Sequence, residues 1–160
     1  MIYPEFYIQY EEVRTLSFAE FRSRLHDTMK KPVGEVTIRD LSSTPSANGL
    51  YFMFYSEGTL AYIGKASSRS FIERIPAHFD QREEAWMNTV PKRILKKENA
   101  DNYFTALQRA FELELVLFGF GDRKLSIKLE SPLCSFLAPR LNRGKIKMES
   151  NQRLCEFETK

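Results

Sequence analysis

Cysteine and histidine are scarce in this chain of 160 residues, with Cys134 and Cys155 as the only thiols and His26 and His78 as the only imidazoles. Two cysteines cannot build a disulfide scaffold or a four-cysteine zinc site, and two isolated histidines leave no zinc-finger spacing. This usage suits a reducing compartment, so a cytoplasmic location is expected. An excess of one charge is also missing. Lys and Arg total 24 against 21 Asp and Glu, a net charge of +3, which excludes a histone-like polycation. Any contact with nucleic acid must rest on local basic patches. No run of about 18 apolar residues occurs, so no membrane-spanning helix and no membrane partner are expected. The start, Met1-Ile2-Tyr3-Pro4-Glu5, brings a carboxylate early and has no apolar core, unlike a secretory leader.

What is present is enough to pack a core: 42% apolar residues, 13% of the chain aromatic. One domain with an extension fits the length. Residues 1–48 read as an amino-terminal helix–strand extension. Ser17 is placed to cap a helix carrying Phe18, Phe21 and Leu25, which Lys30-Lys31-Pro32 ends. The alternation of Val36 and Ile38 between Gly34 and Asp40 predicts a strand, and the Ser/Thr/Pro-rich stretch from Leu41 to Asn48 a loop. The main module then spans 49–147, with a polar tail over 148–160. Leu50 to Tyr55 and Leu60 to Ile63, separated by Ser56-Glu57-Gly58, predict a β-hairpin. A helix follows from Ser70, with Pro76 expected to delay or kink it. Asp101 or Asn102 should cap a helix running to about Phe118, and Lys124 to Leu129 alternates like a half-buried strand before a short helix at Ser131-Pro132. The fold class expected is α/β, a small, mostly antiparallel three-stranded sheet flanked by helices.

On the predicted helix 102–118, Leu107, Phe111 and Phe118 form an apolar stripe with Glu114 projecting into it. A carboxylate there costs several kcal/mol unless it pairs with a cation or binds a metal. The pattern alone favours a buried Glu–Arg pair over a metal ligand. In the hairpin, Gly49-Leu50-Tyr51 and Tyr62-Ile63-Gly64-Lys65 put two tyrosines on adjacent strands, where both can share a face. Gly64 permits close backbone approach and Lys65 supplies a cation.

The two triplets resemble the signature of the GIY-YIG endonuclease superfamily, with Leu50 in place of the central Ile. The likeness continues in order. Arg74 and His78 resemble an Arg-x-x-x-His arrangement, Ala110 to Phe118 is similar to an Ala-x-x-x-Glu-x-x-Leu-Ile helix that puts Glu114 on the family's metal-binding glutamate, and Pro139-Arg140-Leu141-Asn142 resembles the Pro-Arg-Tyr-Asn segment of the UvrC nuclease domain, which places Asn142 on the family asparagine. Gly49 to Asn142 is thus covered. Arg69 is a rival for the arginine, and Pro76 interrupts the Arg74–His78 spacing.

The resemblance implies a stand-alone endonuclease that hydrolyses DNA phosphodiester bonds with Mg2+ (or Mn2+), of restriction, repair or phage-defence type. Glu114 would hold the ion, Arg74 the phosphate, and Tyr51 would act on the attacking water, with Tyr62 its rival. Lys65 would favour the phenolate, His78 relay a proton or contact phosphate, and Asn142 orient the groups or cap a turn. Two basic runs fit a DNA groove: Lys92, Arg93, Lys96 and Lys97, and Arg140, Arg143, Lys145 and Lys147. Gly64 and Lys65 would also touch nucleic acid. Trp86, the single tryptophan, reads as a packing residue or a base-stacking one. The alternatives are a nucleic-acid-binding module on the same fold without hydrolytic activity, and an interaction protein with a structural Glu114–Arg74 pair.

Overall fold

The computed structural model describes residues 3–142 and 152–160. In chain order the elements are β1 (Tyr7–Gln9), α1 (Tyr10–Val13), α2 (Phe18–Asp27), β2 (Lys31–Pro32), a 3-10 turn (Val33–Glu35), α3 (Ile38–Ser42), β3 (Gly49–Phe54), β4 (Leu60–Ala66), α4 (Phe71–Ala77), α5 (Thr89–Lys97), α6 (Tyr103–Phe111), β5 (Glu114–Gly119), α7 (Arg123–Leu137) and a closing 3-10 turn (Leu154–Phe157). No helix among them is long and apolar enough to cross a membrane.

The fold is mixed α/β around one mostly antiparallel open sheet. It has five strands among the described residues, in the order β1-β5-β3-β4, with β2 also on β5. The expectation of three strands is therefore corrected, because the amino-terminal extension supplies two more. β1 runs parallel to β5 opposite Leu117–Gly119, and β2 runs antiparallel to it opposite Glu114–Leu115, so the two lie end to end along one side of β5. β3 is central, antiparallel to both neighbours, and all six of its residues are buried.

Successive side chains alternate between the two faces of a strand, and each face builds its own core. Tyr51, Met53, Leu115 and Leu117 pack under α4, α5 and α6 through Phe71, Ile75, Val90, Ile94, Ala106 and Ala110. Leu50, Phe52, Phe54, Val116 and Phe118 pack on the other face against Phe18, Phe21 and Leu25 of α2 and Leu125, Leu129, Leu133 and Phe136 of α7.

Four local expectations change. Gly34 to Asp40 is a 3-10 turn and α3 rather than a strand; Thr37 and Asp40 form a reciprocal capping box, and Ile38 stays exposed. The helix expected over 102–118 ends at Phe111, and Leu115 to Phe118 is an apolar run buried on both sheet faces, which a central strand requires and a surface helix does not. Lys124 to Leu129 is helical: Asp122 caps α7, and the buried Leu125, Leu129 and Leu133 recur at four-residue spacing while Ile127 is exposed. Helix α4 starts at Phe71 behind a capping box from Ser70, so the proline does not delay it; Pro76 lies in its last turn and the helix ends at Ala77.

The carboxy-terminal segment, expected as a polar tail, carries apolar anchors. The chain returns beside α2, where Phe18 N–H donates to Gln152 O at 2.8 Å and Leu154 N–H to Leu16 O at 3.0 Å. Phe157 stacks on Phe18 with ring centroids 5.7 Å apart, and both Leu154 and Phe157 are buried. Arg14 pairs with Glu158 at 2.7 Å. Phe157→Ala is expected to cost about 3–5 kcal/mol in chemical denaturation; a loss within about 0.5 kcal/mol, the range of a surface substitution, would mean the segment is not part of the core.

Candidate active site

Tyr51 occupies the middle of β3 and pairs directly with Gly64 on β4. Its ring lies across that glycine. A Cβ at Gly64 would fall 2.1 Å from the Tyr51 ring, so the tyrosine at one strand position dictates glycine at the other. Gly49 is constrained the same way by backbone, since a Cβ there would meet Phe118 O at 1.9 Å.

The Tyr51 hydroxyl meets His78 Nε2 at 2.7 Å. His78 caps the C-terminus of α4 and is fully buried. Its other nitrogen, Nδ1, accepts the Val90 N–H at the start of α5, at 3.3 Å. That bond leaves the ring proton of neutral His78 on Nε2, so the imidazole donates to the Tyr51 oxygen and the phenol proton is free to point elsewhere. Burial, then the charges of Arg74 and Arg93, hold the His78 pKa well below its ordinary value. Burial first, and the neighbouring Tyr62, raise Tyr51 well above 10.0, against the lowering charge of Arg74 and with a further rise from Glu130. Tyr62 sits on the same face, 6.2 Å from Tyr51 and 5.5 Å from His78 between ring centroids. Burial raises it too, while Arg74 and Arg93 lower it and Glu130 raises it.

Two cations border these rings, and a third, Lys65, alternates with Tyr62 and Gly64 on β4 and so lies on the opposite sheet face. Arg74 on α4 donates to Met87 O at 3.0 Å through one guanidinium nitrogen. Arg93 on α5 lies over the Tyr62 ring at 5.7 Å and donates to Leu141 O at 3.0 Å. Lys65, on β4, lies 3.6 Å from the Glu130 carboxylate of α7.

β4 is the edge of the sheet, and the segment 140–142 closes it. Arg140 N–H donates to Leu60 O at 3.2 Å and Leu141 N–H to Ala61 O at 2.8 Å. Asn142 then grips both backbone groups of Ile63: its Oδ1 accepts the N–H and its Nδ2 donates to the carbonyl, each at 2.9 Å. The asparagine fixes the strand between Tyr62 and Gly64, and Lys97 Nζ holds Arg140 O and Asn142 O from α5.

The structure thus brings together Tyr51, Tyr62, Gly64, Arg74, His78, Arg93 and Asn142, with Lys65 on the same edge strand but facing α7. Glu114 is not among them. It is the first residue of β5, paired with Phe54 and alternating with Val116 and Phe118, so it lies on the sheet face opposite Tyr51. Its charge acts on Lys30, whose ammonium lies 4.8 Å from the Phe54 ring. The helical stripe that singled Glu114 out does not exist, and a Glu114–Arg74 pair would have to cross the sheet. Lys92 turns away from the tyrosines to donate to Ala85 O at 2.6 Å. Arg140 lies over Tyr55 at 5.4 Å, and Arg143, Lys145 and Lys147 lie outside the described residues.

The carboxylate that does reach this neighbourhood is Glu130. The sequence carries a signal for it: Ser126-Ile127-Lys128-Leu129-Glu130-Ser131-Pro132-Leu133 repeats the spacing small-x-x-x-Glu-x-x-Leu that was read at Ala110–Leu117. Ser126, in the small position, is fully buried. Cys134, one turn further, is raised to about 12 by burial and by Glu130, so it is a thiol and not a nucleophile. Among the described residues no group of three ligating side chains converges. The chain matches no family model, no curated protein and no solved structure.

Because folded His78 resists protonation, the unfolded chain takes up its proton first as pH falls. Its contribution to stability is present above about pH 6.5 and is lost progressively below it. The expected slope is about 1.4 kcal/mol per pH unit. His78→Gln, compared with wild type by urea denaturation between pH 7 and 5, should flatten that slope. Equal slopes would mean that His78 is not buried as the neutral imidazole.

Proposed function

We propose that this chain is a DNA endonuclease of the GIY-YIG type, with its site on the edge strand β4 and with Glu130, in place of Glu114, as the acidic residue. The observation that carries the reading is convergence. The two signature tyrosines, the Arg74–His78 pair and the asparagine of the Pro-Arg-x-Asn segment come from four separate stretches of sequence, and they meet around Gly64 with one glutamate opposite. The three strands β5-β3-β4, with both signature triplets on β3 and β4, support the same assignment.

The donor set is compatible with Mg2+. Such an ion prefers oxygen ligands, keeps several waters, and is commonly held by one or two carboxylates together with substrate phosphate. Glu130 supplies one partly exposed carboxylate. When bound, Mg2+ would polarise the phosphoryl oxygen and lower the pKa of the attacking water.

The protein's own residues do the rest. Arg74 spends one nitrogen on Met87 O, which orients the guanidinium and leaves its remaining donors for a phosphate, where a planar fork binds two oxygens. Arg93 adds a second cation beside Tyr62. Tyr51 is wholly buried, with its oxygen accepting from His78, whereas the Tyr62 hydroxyl has no hydrogen-bond partner among the described residues. Tyr62 therefore meets water or a phosphate oxygen, and Tyr51 with His78 holds the wall behind it. Both phenols are raised, so both stay protonated at neutral pH, and Tyr62 orients water as a hydrogen-bond donor. Neutralising the Glu130 charge lowers both toward the phenolate, the form in which a tyrosine accepts a proton.

Cleavage of supercoiled, linear, single-stranded and branched DNA, with Mg2+ and with chelator, tests the reading. Glu130→Gln should lose cleavage by orders of magnitude while still binding DNA; Glu114→Gln should cleave within a few-fold of wild type. Mg2+-independent nicking, or loss on Glu114→Gln alone, would overturn the assignment. Binding without cleavage of any substrate would leave the fold as a nucleic-acid-binding module.

A further inference from the structure

Trp86 is 95% exposed, an unusual position for the residue type with the largest apolar surface. It sits on the strap of residues 79–88 that joins α4 to α5, and that strap is built rather than loose. The fully buried side chain of Asn88 donates to Arg82 O at 3.1 Å, to Glu83 O at 3.3 Å and to the Tyr103 hydroxyl oxygen at 2.7 Å. Tyr103 O–H donates to Asp80 O at 2.6 Å, and Arg82 pairs with Asp80 at 2.8 Å. On either side of the indole, the carbonyl of Ala85 accepts from Lys92 Nζ at 2.6 Å and that of Met87 from Arg74 at 3.0 Å. A buried amide and two cations thus hold the backbone around a side chain that touches almost nothing.

The strap is tied to the candidate active site through the same two groups. Arg74 acts electrostatically on Tyr51, Tyr62 and His78, and Asn88 immediately precedes α5, whose Val90 N–H fixes His78. We propose that Trp86 is a stacking platform for an unpaired nucleobase of the DNA substrate, next to the phosphate held by Arg74. This rests on the nuclease reading above and adds to it the substrate class: DNA with a single-stranded or extruded nucleotide at the cleavage site.

The chemistry of the strap selects the base rather than the backbone. Glu83 and Glu84 are exposed on it, and they repel phosphates from the strap itself while Arg74 and Lys92 attract them at its root. An aromatic face presented from a held backbone beside a cation is what base stacking needs. Stacking is sequence-tolerant, and the backbone's share of the ordering cost is met before binding. A fully paired duplex offers no free base face to the indole.

Trp86 is the single tryptophan, so its fluorescence reports the contact directly. Wild-type protein, in chelator so that nothing is cleaved, is titrated with a thymine oligonucleotide, a blunt hairpin duplex closed by a non-nucleotide linker and a duplex with a one-nucleotide bulge, with binding followed separately by anisotropy of a labelled oligonucleotide. Saturable quenching by the oligonucleotide and the bulged duplex, with little by the blunt hairpin, is expected. Trp86→Ala should weaken binding of those two ligands about tenfold or more, and Trp86→Phe should restore most of it. Equal quenching by all three ligands, binding without quenching, or unchanged affinity in Trp86→Ala would overturn the platform and leave the nuclease reading standing. A concentration-dependent blue shift without DNA would assign the indole to contact between copies of the chain and overturn it too. Absence of binding to every ligand would remove both the platform and the nuclease reading.

Discussion

The Tyr51 ring can lie flat across the neighbouring strand only because Gly64 has no side chain. A methyl group there would overlap the ring outright, and displacing the ring would break its hydrogen bond to His78. His78 in turn joins the end of α4 to the start of α5 through the Val90 N–H. One steric permission on β4 therefore sets the placement of two helices, and with them Arg74 and Arg93. Buried polar groups at the centre of a sheet face are costly unless fully paired. Here the imidazole donates to the phenol oxygen, and the backbone satisfies the remaining nitrogen.

The second constraint is the open edge of β4. An unpaired strand edge invites pairing with another chain, and this one is closed by 140–142, with Asn142 imitating a neighbouring strand at Ile63. The closure brings α7 and its Glu130 to the same edge that Tyr62 and Lys65 occupy. Helices on one sheet face supply the cations and a helix on the other supplies the carboxylate, and they meet only at this rim.

Much of this was legible in the sequence. The hairpin and the Ser17-capped helix follow from turn chemistry and capping, both local signals, whereas the Arg74–His78 arrangement was singled out only by the family resemblance. Two of the failures share one cause. Leu113–Phe118 and Lys124–Leu129 are stretches whose pattern fits helix and strand alike over six residues. Only the tertiary setting decides that the first is central in a sheet and the second covers its face. Reading the first as helix put the candidate glutamate at Glu114, although the small-x-x-x-Glu-x-x-Leu spacing occurs at Glu130 as well. The strap that presents Trp86 has no periodic signature, since it is defined by a buried asparagine reaching two carbonyls and by cations donating to two others, and none of these contacts follows from spacing.

The central claim is that a cation belongs at Glu130 on the β4 rim. Mn2+, titrated at substoichiometric amounts into 15N-labelled protein, should broaden the amide signals of residues 62–65 and 129–134 first and leave those of 113–115 and 30–32 sharp. Broadening centred on Glu114 and Lys30, or spread evenly over the surface carboxylates, would contradict it.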